Sequence, residues 1–134
     1  MHVQSRTTCP ADTSSMSTDT LKVAIVGLGR MGKRHALHFQ NLTPRATLIA
    51  AATIEPEELK WAEKELPSVR TYLSFDKMLE SEPDIQAVVV SSATAVHAEQ
   101  AIKAIQLGLH VLCEKPLSTS PETVRATVLM ATLL

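Results

Sequence analysis

The chain has 134 residues, with 13 Lys and Arg against 14 Asp and Glu. This length suits one domain with a sizeable core, and the balanced charge, without a basic block, argues against a nucleic-acid partner. No apolar stretch approaches the ~18 residues that span a bilayer, and Cys9 and Cys113 suggest no disulfide framework, so we expect a cytoplasmic protein without a membrane partner.

The first twenty residues are rich in Ser and Thr, and Arg6 is their only basic side chain. This composition favours a disordered tail over residues 1–20, followed by one domain over residues 21–134. Met16 is an alternative start of the chain.

The apolar run over residues 21–26 predicts a strand, and three glycines with the spacing Gly-x-Gly-x-x-Gly follow it directly. A strand, a glycine turn and a helix in this order are the dinucleotide-binding fingerprint. Gly27 makes the turn, Gly29 lets the backbone approach a pyrophosphate, and Gly32 lets the helix pack on the strand. An ordinary glycine-rich turn is the alternative. The predicted cofactor-binding residues of this segment are Gly27, Gly29, Arg30, Met31 and Gly32.

Strands and helices alternate along the rest of the chain. Further strands are predicted at 46–52, 69–73, 85–90 and 109–113. Helices are predicted at 32–42, from Pro56 through Leu66, after a cap at Ser74 through 79, at 95–107 before Gly108, and at 122–134. This alternation predicts an α/β fold, a Rossmann-type doubly wound parallel sheet of about five strands.

Polar side chains follow the fourth and fifth predicted strands, at the edge where such sheets bind ligands. Ser92 and Thr94 come first, with His97 one helical turn later, and Glu114 and Lys115 end the last strand. The serine and threonine also suit helix capping, His97 suits packing, and Lys115 suits a solvated surface. A lysine at this edge can instead orient or polarise a substrate hydroxyl.

The segments GLGRMGKRHA and SSATAVHAEQAIKAIQLGLHVLCEKPLS resemble the N-terminal domain of the glucose-fructose oxidoreductase / inositol 2-dehydrogenase (Gfo/Idh/MocA) family. The resemblance covers residues 21 to about 125, and the Glu-Lys-Pro segment is its most specific part. It implies NAD or NADP as the cofactor and a sugar or polyol, inositol-like, as the substrate of hydride transfer. It also implies that Ser92, Thr94 and His97 lie along the ribose and nicotinamide side. Glu114 and Lys115 would reach the nicotinamide and substrate, with Lys115 as the catalytic residue.

Two local departures from the family pattern concern the cofactor. Ser92-Ala93-Thr94 stands where the family often has Thr-Pro-Asn. The acid expected about 20 residues after the glycines, which accepts the ribose hydroxyls, is replaced by Thr53, with Glu55 two residues on. No arginine follows to bind a 2′-phosphate, so the choice between NAD and NADP stays open.

Family members continue into a second α/β domain that forms the substrate wall, and this chain stops before it. We therefore interpret the sequence as truncated, as a mis-predicted gene or as a fragment. Two functions compete: an oxidoreductase domain, and a non-catalytic dinucleotide-sensing or protein-binding module. A homo-oligomer is one option for a full-length form, and no metal site is predicted.

Overall fold

The computed structural model describes residues 19–134 of the chain. Most of the predicted tail, residues 1–18, therefore lies outside the described residues. Thr20, the last residue of that tail, shares a hydroxyl hydrogen bond with Thr47, and the backbone N–H of Leu21 donates to the carbonyl of Arg45 at 2.9 Å. Thr20 and Leu21 are thus joined to the start of β2 by hydrogen bonds.

Five strands and five helices alternate, as the sequence predicts. The strands are β1 (Leu21–Val26), β2 (Ala46–Ala52), β3 (Arg70–Tyr72), β4 (Ala87–Val90) and β5 (His110–Cys113). The helices are α1 (Arg30–Asn41), α2 (Pro56–Glu65), α3 (Phe75–Ser81), α4 (Thr94–Gln106) and α5 (Pro121–Leu133). All strand pairs are parallel, in the order β3-β2-β1-β4-β5. The predicted Rossmann-type doubly wound sheet is therefore confirmed.

Alternate residues of β1 enter two separate apolar cores, one on each face of the sheet. Val23 and Ile25 pack with residues of α1 and α2, whereas Ala24 and Val26 pack with residues of α3 and α4. Because helices cover both faces, β1 needs apolar side chains at every one of these positions. This accounts for the uninterrupted apolar sequence from Val23 to Val26, after the exposed Lys22.

The observed element ends differ from the expected ones by one or two residues. Helix α1 begins at Arg30 rather than Gly32, because Gly29 is its N-cap. Strand β4 begins at Ala87, two residues late, because the Ile85 N–H closes a turn onto the Glu82 carbonyl. Strand β3 loses one predicted residue at each end, and α4 begins one residue early, at Thr94.

The buried face of α4 consists mainly of alanines. Ala98 and Ala101 are buried as the spacing predicts, but the third buried alanine is Ala104, while Ile102 and Ile105 are only half-buried. Alanines let the helix axis lie close to the sheet. The helix also ends where the sequence predicts, since Gly108 follows it with φ +77°.

Within residues 19–134, no helix has the length and apolar character needed to cross a membrane.

Candidate functional site

A cavity of about 470 Å³ lies beyond the carboxyl ends of β1, β2 and β4. The strand order reverses next to β1, because β2 and β3 lie on one side of it and β4 and β5 lie on the other. Ligands of doubly wound sheets bind at this topological switch point. Four of the residues predicted to bind the cofactor line the cavity: Gly27, Gly29, Thr53 and Ser92.

Two of the three fingerprint glycines are required by packing. Gly27 has φ +88°, and a Cβ added there would lie 2.4 Å from the backbone nitrogen of Ser92. A Cβ on Gly32 would lie 2.0 Å from the carbonyl oxygen of Gly27. The turn and the first helical turn of α1 are therefore packed backbone against backbone, and no other residue fits at these two positions.

Gly29 has a different environment. A Cβ added there meets only Oε1 of Glu58, at 3.9 Å, so Gly29 has open space on the cavity side. Gly29 is also the N-cap of α1, and the first turn contains no acidic side chain. The N–H groups that begin a helix lack intrahelical acceptors, and here they belong to Arg30, Met31 and Gly32. Arg30 and Met31 are exposed, and neither lines the cavity.

Thr53, at the end of β2, is buried with 4% of its surface exposed. Its hydroxyl donates to Oε2 of Glu58 and accepts a hydrogen bond from the backbone N–H of Glu55 at 3.1 Å. Oε2 of Glu58 also accepts from the backbone N–H of Leu28 at 3.3 Å. A carboxylate is thus present at the end of β2, although the sequence places a threonine there.

The segment after β4 is held by hydrogen bonds of its two serine side chains. The Ser91 hydroxyl donates to the Gly27 carbonyl at 2.9 Å, and the Ser92 hydroxyl donates to Gln100. The N-cap of α4 is Ala93, without a side-chain cap, so the capping interpretation of Ser92 and Thr94 is wrong. Thr94 is the first residue of α4, half-buried and outside the cavity lining.

His97 is buried, with 2% of its surface exposed. Its Nδ1 lies 2.9 Å from the carbonyl oxygen of Pro116, and its Nε2 lies 2.7 Å from the carbonyl oxygen of Ser92. The imidazole therefore joins the segment after β4 to the segment after β5. His97 is not among the cavity-lining residues, and its packing interpretation agrees with this position.

Glu114 and Lys115 follow β5 on the same edge of the sheet. Oε1 of Glu114 lies 2.6 Å from Nε2 of His35 on α1. The contact with His35 holds the pKa of the Glu114 carboxyl below its usual range, against the opposing effect of burial, and the backbone N–H and charge of Lys115 add smaller effects in the same direction. Lys115 itself is exposed, and within residues 19–134 its side chain has no hydrogen bond or ion pair. The Lys115–Pro116 peptide is cis.

Sequence reasoning missed two side chains of this region, those of Glu58 and His35. Glu58 is the third residue of α2, and an acid in a first helical turn is usually explained by the helix dipole alone. His35 lies one turn after Gly32 on the half-buried side of α1. The contacts of Glu58 with Leu28 and of His35 with Glu114 join residues far apart in sequence. Only the position of Glu58, six residues after β2 ends, offered a signal.

Comparison with known proteins adds to this geometry. A family model described as an oxidoreductase family with an NAD-binding Rossmann fold matches residues 21–133. Inositol 2-dehydrogenase of Agrobacterium fabrum is 28% identical over 109 residues, 81% of this chain and 32% of that protein.

Two solved structures are similar to this chain. Myo-inositol 2-dehydrogenase of Lactobacillus plantarum has a TM-score of 0.81 and 36% identity, over 86% of this chain and 34% of that one. Scyllo-inositol dehydrogenase of Lactobacillus casei, solved with NAD(H) and scyllo-inositol bound, has a TM-score of 0.80 and 37% identity over the same shares, 86% and 34%. The chain therefore spans about a third of the length of these relatives.

Proposed function

Because the chain belongs to this oxidoreductase family with an NAD-binding Rossmann fold, we propose that it binds NAD or NADP in the cavity beyond β1, β2 and β4. The observation that carries the proposal is Gly29, which combines open space on the cavity side with the N-terminus of α1. Backbone N–H groups and the positive end of the helix dipole at that point favour a pyrophosphate. Gly27 and Gly32 hold the turn in place, and the backbone of Arg30 and Met31 supplies donors.

The residues after β4 and β5 would hold the nicotinamide side of the cofactor. Ser92 lines the cavity, and its carbonyl is fixed by His97, which limits movement of this segment. Thr94 begins the next helix on the same edge. Glu114, held by His35, would set the position of the neighbouring Lys115.

The whole enzyme would transfer a hydride between the nicotinamide, when it is bound, and a hydroxyl-bearing carbon of a sugar or polyol. The Agrobacterium and Lactobacillus relatives act on inositols, which supports a polyol of this kind. Lys115 is the residue proposed to act on substrate. Its exposed ammonium group can donate a hydrogen bond to the reacting hydroxyl or exchange a proton with it.

Replacing Gly29 with valine tests cofactor binding. The new side chain would occupy the space proposed for the pyrophosphate, so we expect affinity for NADH and NADPH to fall by about tenfold or more. Isothermal titration calorimetry measures the affinity, and thermal unfolding serves as the control, since the added Cβ meets no atom closer than 3.9 Å. Unchanged affinity for both cofactors would contradict the proposed site.

A further inference from the structure

The end of β2 is where dinucleotide-binding folds place the acid that accepts the ribose hydroxyls. Thr53 occupies this position, but its hydroxyl donates its one proton to Glu58 and also accepts from the Glu55 N–H. With 4% of its surface exposed and its proton already donated, the Thr53 side chain is a poor partner for a ligand. Its contribution must therefore pass through the residue that it holds.

The two carboxylate oxygens of Glu58 have different surroundings. Oε2 accepts from the Thr53 hydroxyl and from the Leu28 N–H, inside the fingerprint turn. Oε1 lies on the Gly29 side, 3.9 Å from a Cβ added to that glycine, and has no hydrogen-bond partner among residues 19–134. One oxygen thus fixes the carboxylate to the turn, and the other is available at the cavity.

The charges around the cavity favour a neutral ribose. Two carboxylates line it, Glu55 and Glu58, and none of its lining residues within the described chain is Lys or Arg. A carboxylate accepts hydrogen bonds from adjacent ribose hydroxyls, whereas it repels a 2′-phosphate that no cation here would offset.

Glu55 is the competing candidate, since it also lines the cavity. It is the exposed N-cap of α2, and no side-chain hydrogen bond fixes its carboxylate among the described residues. Glu58 is half-buried and held by two donors, so it loses less conformational entropy when it binds a ligand.

We propose that Glu58, oriented by Thr53 and by the Leu28 N–H, binds the adenosine ribose hydroxyls and selects NAD over NADP. The inference rests on the proposed function, because it concerns the same cavity. It makes Glu58 a specificity-determining residue that reaches the ribose from helix α2, and Thr53 a positioning residue.

The test compares NADH and NADPH affinities of the 134-residue chain and three variants by calorimetry. In Glu58→Gln the amide oxygen can still accept from Leu28 and Thr53, so the fold should persist while the repulsion of a 2′-phosphate is lost. We expect the wild-type preference for NADH to fall by about tenfold. Thr53→Val should lower the same preference by a smaller factor, without the loss of a charge.

Glu55→Gln is the matched control, because it removes the same charge from the same cavity and should leave the preference unchanged. An unchanged ratio in Glu58→Gln, or a shift in Glu55→Gln instead, would overturn the role of Glu58 while cofactor binding stands. Failure of the wild-type chain to bind either cofactor would overturn the proposed function, and this inference with it.

Discussion

Gly32 shows how strongly a single position can be constrained by backbone contact. A Cβ there would lie 2.0 Å from the Gly27 carbonyl oxygen, so Gly32→Ala must displace α1 from the turn. We expect a loss of about 1–3 kcal/mol in the free energy of unfolding, the usual size of an overpacking penalty. Urea denaturation measures it.

Gly29→Ala is the control for this substitution, since its Cβ meets only one atom, at 3.9 Å, and its φ is −67°. We expect its stability to stay within about 1 kcal/mol of wild type, the size of a glycine-to-alanine entropy effect. Equal stability of Gly32→Ala and wild type would contradict the packing argument.

The sequence predicted the packing constraints at Gly27 and Gly32 but not the contacts of Glu58. Motif spacing describes the backbone around Gly27, Gly29 and Gly32, which is local. The contact of Glu58 with Leu28 depends on how α2 crosses the end of β1, which is set by packing between distant elements. The same holds for His35 and Glu114, which are 79 residues apart.

At the scale of elements, Glu82 joins the end of α3 to the edge strand β3. Its buried carboxylate accepts from Arg70 Nη2 and from the Tyr72 hydroxyl, each at 2.5 Å. The hydrogen bonds from Arg70, and then that from Tyr72, hold the pKa of Glu82 below its usual range, although burial opposes this effect.

A lowered pKa in the folded state means that Glu82 stabilises the fold above the pKa of the unfolded chain. This contribution is lost as the pH falls through the folded-state pKa, so we expect the free energy of unfolding to decline below about pH 5. Glu82→Gln should cost about 1–3 kcal/mol at pH 7 and should reduce the decline.

Glu80→Gln is the control, because Glu80 is exposed on α3. This variant should have the same free energy of unfolding as wild type and the same dependence of that free energy on pH. Denaturation curves recorded between neutral and acidic pH compare the three proteins. An identical acid dependence in Glu82→Gln and wild type would show that the Arg70 and Tyr72 contacts do not stabilise the edge strand.

Periodicity and turn residues predicted every helix and strand, and their order was correct. The ends were less certain, because they depend on interactions that composition does not encode. Ser74 caps α3 by accepting a hydrogen bond from the Lys77 N–H, as expected. The N-cap position of α4 is instead occupied by Ala93, which provides no side-chain cap, although serines and a threonine lie next to it. The predicted buried face of α4 was partly wrong, because the buried residues continue from Ala98 and Ala101 to Ala104 rather than to Ile102 and Ile105.

For the whole molecule, we expect the 134-residue chain to bind cofactor without catalysing polyol oxidation. It spans about a third of the length of the relatives it resembles, so the remaining two thirds of those proteins have no counterpart in these 134 residues to hold a polyol against the nicotinamide. Hydride transfer requires both reactants in near-attack geometry. The absorbance of NADH formed from NAD and myo-inositol measures turnover, and calorimetry on the same sample verifies binding.

Substantial inositol-dependent NADH formation by this chain would show that residues 1–134 suffice for catalysis. In any longer form of the protein, Lys115→Ala should lower kcat while cofactor affinity is kept, as expected for a group that acts in the transition state. Binding without turnover in every form would favour the dinucleotide-sensing alternative.

The three glycines of the turn are required for different reasons, so they would respond differently to the loss of the cofactor in evolution. Gly27 and Gly32 have no room for a side chain whether or not a nucleotide is present, so a descendant that had lost its cofactor would still keep both in order to fold. Gly29 faces open space, and without a ligand nothing would prevent an alanine or serine from replacing it. In a relative of this chain, a glycine at the position of Gly29 would therefore indicate retained nucleotide binding, whereas glycines at the positions of Gly27 and Gly32 would indicate only the fold.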